Sequence, residues 1–216
     1  MTPRLIPLLL LILPGLAAAK EERWRLDTVH TQVHFRVDHL GFSRSMGLIK
    51  IASGHIVFDP DDWTRATADV TADPGSLLMG DAKWEEKVKS WQFLNVKRWP
   101  TARYVSRSVE KTGANTGVMH GELELAGRRQ PLDIAFTLNK LGNDPYTFSK
   151  TLGVSAQVTI QRSAFGMNKL LSAVGDAVEL SIEAEAVRDR GKDEPAEPPV
   201  PAPAATEEGE DGSAQH

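Results

Sequence analysis

The sequence predicts an all-β fold of about eight antiparallel strands, on three observations. Apolar and polar residues alternate with a period of two through most of residues 24–187. Clusters of turn-forming residues separate the alternating runs at hairpin spacing, which implies antiparallel pairing. Only one stretch has helical periodicity, so the crossover helices that parallel strands require have no sequence to form them.

Each strand follows from its alternation. In 30–39, Val33, Phe35, Val37 and His39 share one face, against His34, Arg36 and Asp38 on the other. Met119, Gly121, Leu123 and Leu125 oppose His120, Glu122 and Glu124. Leu132, Ile134, Phe136 and Leu138 alternate with Asp133, Ala135 and Thr137. Val154, Ala156, Val158 and Ile160 alternate with Ser155, Gln157 and Thr159. Val178, Leu180, Ile182, Ala184 and Ala186 oppose Glu179, Ser181, Glu183 and Glu185. Fainter runs lie at 47–58, 66–73 and 102–109. Turns fall at 59–62, 112–115, Gly127, 142–145 and Gly175-Asp176. The helical stretch is 81–91, where Trp84, Val88 and Trp91 recur at i, i+4 and i+7. It is expected to cover an open barrel end or a sheet edge, or to serve as a lid.

Eight antiparallel strands form either a packed sandwich or a closed barrel, and a barrel of this size holds side chains or one small ligand. The small residues on the apolar faces, Ala66, Ala68, Ala72, Gly121, Ala156, Ala184 and Ala186, favour a cavity.

The two ends differ from the middle. Residues 1–19 read as a signal peptide cleaved after Ala19: Arg4, an apolar run from Leu5 to Leu13, then Pro14-Gly15 and Ala17-Ala18-Ala19. The run is too short to span a bilayer, so no stable membrane span is expected. From 188 to 216 the chain is rich in Pro, Ala and acids without apolar periodicity, which reads as a disordered tail. The barrel domain is thus placed at 20–187, in an exported protein. With no cysteine, its core must hold it without disulfides, and thiolate chemistry is excluded. The tail carries eight acids and three bases, which leaves the domain about neutral and gives nucleic acid no basic face to bind.

Four ordered blocks resemble the YceI-like, polyisoprenoid-binding family. The first is Trp24, Leu26, Asp27, His30, Val33, Phe35, Val37, His39, Leu40, Gly41 and Gly47. The second is Ser90, Phe93, Val96, Trp99 and Pro100; the third sets Gly127 and Pro131 between two strands. The fourth joins Arg162-Ser163-Ala164-Phe165-Gly166 to Val174-Gly175-Asp176-Ala177-Val178. The resemblance implies a lipocalin-like barrel enclosing an elongated apolar tunnel for an isoprenoid or other long-chain amphiphilic lipid, and a periplasmic address. It departs from the family at 82–88, which lacks the usual Arg-Asp-x-His-Leu, and at Ala164, where an Asp is usual.

Expected lining residues are Val33, Phe35, Val37, Phe42, Ile49, Leu123, Ile134, Phe136, Val158, Phe165 and Met167. His39, Arg103 and Arg162 are the candidate headgroup contacts, since each lies in or beside an apolar-periodic strand. Binding by reversible burial needs no cofactor and no catalytic residue, and is compatible with a homodimer. Rival readings are chemistry on a bound lipid, or an envelope interaction module without a ligand. A metal site shared by His30 and His34 fails on distance, because four strand residues span about 13 Å, which leaves open one completed by His55 or His120 from a neighbouring strand.

Overall fold

The computed structural model describes residues 22–190. Nine strands follow one another: β1 (Glu22–Leu26), β2 (Gln32–His39), β3 (Ser43–Phe58), β4 (Thr67–Leu78), β5 (Ala102–Lys111), β6 (Thr116–Leu125), β7 (Arg128–Asn143), β8 (Lys150–Gln161) and β9 (Val174–Arg188). One helix, α1 (Ala82–Lys89), and two 3-10 turns, Trp63–Arg65 and Arg162–Phe165, complete the elements. The strands form a closed, all-antiparallel barrel of eight positions, in the order β3-β2-β9-β8-β7-β6-β5-β4 and back to β3.

The ninth strand shares a position with another. Both β1 and β2 run between β3 and β9: Trp24 opposes Ile56 and Arg188, while Phe35 opposes Gly47 and Leu180. They are one strand interrupted at 27–31. The Asp27 carboxylate turns the chain there, accepting the amides of Val29 (2.8 Å) and His30 (3.2 Å). Thr31 ties the interruption back to β9, its hydroxyl donating to the Glu185 carbonyl at 3.1 Å.

Alternation puts the apolar residues inside, but a barrel also needs bending. Register shifts between Ile51 and Ser53 of β3 and between Ser106 and Ser108 of β5 supply it. Inward glycines make shelves for rings. A Cβ on Gly121 would lie 2.6 Å from the Tyr104 ring, and one on Gly47 would lie 2.4 Å from the Phe35 ring.

The two barrel ends are built differently. At one, the turn Trp63–Arg65 drives Trp63 into the interior, where it stacks on Phe136 (5.8 Å) and meets Phe58 edge-on (5.5 Å). Trp24, Leu26, Ile51, Leu152 and Ala186 pack around this plug. At the other end lie the β2–β3 hairpin, α1 and the turn Arg162–Phe165. The helix begins where Asp81 caps the Trp84 amide at 2.9 Å, and it ends at Ser90, whose hydroxyl donates to the Lys87 carbonyl.

Candidate functional site

A cavity of about 510 Å³ occupies the barrel interior between the Trp63 plug and α1. That lies within the range of roughly 300–1,000 Å³ typical of small-molecule sites. Every strand contributes to its wall, which is overwhelmingly aliphatic and aromatic. Ala66, Ala68, Ala72, Ala156 and Ala184 line it, and their missing bulk leaves the space open. Gly121 and Ala186 do not: the Tyr104 ring fills the room over Gly121, and Ala186 is sealed into the plug cluster.

Of the residues anticipated from sequence, Val33, Phe35, Val37, Ile49, Leu123, Ile134, Phe136, Val158 and Met167 face the cavity. His39 and Arg162 also reach it. Three others are corrected. Phe42 follows the left-handed pair Leu40-Gly41 at the hairpin tip and is 89% exposed, outside the barrel. Arg103 lies on the outer face of β5, because its inward neighbours are Ala102 and Tyr104; it pairs with Asp69 at 2.8 Å and 2.5 Å. Phe165 is buried, but among Leu77, Leu94 and Leu125 beneath the barrel rim rather than in the cavity wall.

Arg162 is buried beside the cavity mouth, yet its guanidinium is committed elsewhere. Nε donates to the Gly175 carbonyl (2.9 Å), and Nη2 to that of Val174 (2.7 Å). Nη1 donates to the carbonyls of Met167 and Lys169. These bonds staple the 167–175 segment across the rim. The Phe93 ring covers the guanidinium at 5.5 Å. Burial pulls the Arg162 pKa below the ordinary guanidinium value, with Asp176 opposing.

The polar groups left at the mouth are His39, Ser45 and Lys87. The His39 ring meets Trp84 edge-on at 5.7 Å, so β2 and α1 touch there. Lys87 was not anticipated, although it stands three residues after Trp84 on the helix face that meets the barrel. Its charge placed it with the solvent side; the open barrel end leaves a flexible lysine room to bend over the mouth. Tyr104 is a further polar group of the wall, its hydroxyl donating to the carbonyls of Met119 and Leu132, each at 3.2 Å. Burial pushes its pKa up to about 12, so it stays neutral. Among the described residues no group of His, Asp and Glu side chains is arranged to hold a metal ion.

The fold and its cavity define a small closed antiparallel barrel with an apolar interior. The YceI-like domain model matches residues 24–186, and the chain belongs to that family. Protein YceI of Salmonella arizonae is 31% identical over 181 residues, covering 84% of this chain and 94% of the relative. Among solved structures, BcnA of Burkholderia cenocepacia superposes with a TM-score of 0.66 at 23% identity, covering 74% of this chain and 98% of that one. A polyisoprenoid binding domain from Saccharophagus degradans superposes with a TM-score of 0.56 at 10% identity, covering 79% of this chain and all of the other.

Proposed function

We propose that this protein is a periplasmic carrier that holds a long apolar lipid of isoprenoid type by reversible burial. The observation that carries the reading is the cavity itself: about 510 Å³, walled by apolar side chains and closed at one end by Trp63. Each methylene-sized group moved from water into such a wall contributes roughly 0.8 kcal/mol. A few isoprene units thus offset an association cost of at least about 4 kcal/mol. Likeness in fold to the polyisoprenoid binding domain of Saccharophagus degradans supports the ligand class. The apolar leader at residues 1–19, which lies outside the described residues, supports export.

In this reading the tail enters past α1, and the headgroup stays at the mouth beside His39, Ser45 and Lys87. Polar groups are few in this wall and the Tyr104 hydroxyl among them is neutral, which favours binding over catalysis. Filling the space tests the proposal. Ala156→Phe places a ring at a small-residue position of the wall while keeping the strand pattern. Uptake of farnesol, measured by displacement of a fluorescent naphthylamine probe, should fall at least about tenfold in this variant. A folded Ala156→Phe protein that binds farnesol as the parent does would refute it.

A further inference from the structure

The cavity mouth is surrounded by apolar side chains that remain largely open to solvent. Leu40, Phe42, Trp84, Trp91, Leu170 and Leu171 are all exposed, Phe42 at 89% and Trp91 at 66%. Contacts between neighbouring segments join them into one collar. Trp84 meets His39, and the next residue, Leu40, donates its amide to the Ala173 carbonyl at 2.9 Å. The turn that ends at Ala173 carries Leu170 and Leu171, and Lys169 lies over the Trp91 ring at 5.6 Å. Isolated exposed apolar residues need no explanation, but a ring of them around one opening does.

Charge separates this end from the other. Lys83, Lys87, Lys97, Arg98 and Lys169 stand in or beside the collar. Of the nearby acids, Asp38, Asp81 and Glu85 are turned onto backbone amides, of Gly41, Trp84 and Met79 respectively, and Glu86 on α1 stands against these five bases. The plugged end also exposes Val29, Tyr146 and Phe148, but there the acids dominate the loops: Asp27, Asp59, Asp61, Asp62 and Asp144. Tryptophan and leucine side chains backed by lysines suit the interface of a bilayer with negative headgroups. The same side chains backed by aspartates do not.

We infer that the mouth collar docks the barrel onto an anionic lipid bilayer, with Phe42, Trp91 and Leu171 entering the headgroup boundary and the lysines facing the lipid phosphates. This rests on the lipid-holding reading, since docking mouth-first lets a tail pass from bilayer to cavity without crossing water. Partitioning is independent of cavity filling, so the two can fail separately.

Co-sedimentation of the full chain with vesicles tests it. Vesicles containing phosphatidylglycerol should bind about tenfold more protein than pure phosphatidylcholine vesicles, and added salt should erase much of that excess. The triple variant Phe42→Ser, Trp91→Ser, Leu171→Ser should lose at least about tenfold in partitioning, with an unchanged melting temperature because all three side chains are exposed. Tyr146→Ser, at the plugged end, should behave as the parent. Equal partitioning of triple variant and parent would overturn the inference. So would a concentration-dependent dimer, seen by sedimentation velocity, that disappears in the triple variant while neither protein binds vesicles; the collar would then seat a second copy. If the naphthylamine probe fails to enter the barrel in vesicle-free buffer while vesicle binding holds, the carrier reading falls and docking stands.

Discussion

Arg162 is a charged side chain beside an apolar cavity whose role is settled by what its nitrogens touch. Four carbonyls from 167–175 use its donors, and in its absence each would be left at a rim with little water to replace it. Arg162→Met, which keeps the length and removes the donors, should therefore cost about 3 kcal/mol, read from urea unfolding. A loss below about 0.5 kcal/mol would mean that these carbonyls find water. Residue parity in the sequence placed Arg162 on the inward face, and there it lies. Parity could not show that the carbonyls would arrive from a segment beyond the strand. Arg103 was misplaced for a related reason: its strand alternates faintly, and the inward set includes Ser106, which a polar/apolar reading assigns outward. Ser106 is buried because its hydroxyl accepts the Ala68 amide at 2.7 Å.

At the scale of elements, the strongly alternating runs 119–138 and 154–186 became β6 to β9 with their anticipated faces, because one side of every strand is dry and the other wet. β1 escaped notice. Its five residues, ERWRL, carry two apolar positions, too few to establish a period, and its stability comes from neighbours about 30 and 160 positions away. The helix was legible from Asp81 and the Trp84/Val88 spacing, though it ends at Lys89 and leaves Trp91 in the following turn. The 3-10 turn Trp63–Arg65 had no signal beyond a tryptophan after an Asp-rich turn, yet it decides which end of the barrel is shut. Trp63→Ala should remove the plug at a cost of about 3–5 kcal/mol in unfolding free energy. A cost under about 1 kcal/mol would show that neighbouring side chains collapse into the gap.

For the whole molecule, acid titration follows from four carboxylates held below the ordinary aspartate value of 3.8. The Arg103 guanidinium lowers Asp69, the amides of Thr147 and Tyr146 lower Asp144, and the Ser163 hydroxyl and amide lower Asp176. Burial raises Asp27, but hydrogen bonds from the His30 ring and the amides of Val29 and His30 outweigh it. Each of these groups takes up a proton more readily in the unfolded chain. Their stabilisation is complete above 3.8 and is lost as pH falls through the lower folded values. His30 works in the opposite sense: its bond to Asp27 raises its pKa above 6.5, so its contribution is full below 6.5 and is lost as pH rises through the raised value. The urea midpoint should therefore be lower at pH 3 than at pH 5, and His30→Gln should flatten any decline from pH 6 to pH 8. A midpoint that does not fall between pH 5 and pH 3 would show that these carboxylates keep their partners when unfolded.

The interrupted strand has a consequence for assembly. β1 and β2 are both clasped on their far side by β9, so no stretch of chain that stops short of β9 can satisfy their outer amides and carbonyls. The barrel is a ring sewn at one seam, and the last stitch joins the beginning of its sequence to the end. Closure is therefore a late event that waits on long-range encounter, and such topologies form slowly. Until then the future cavity is an open trough.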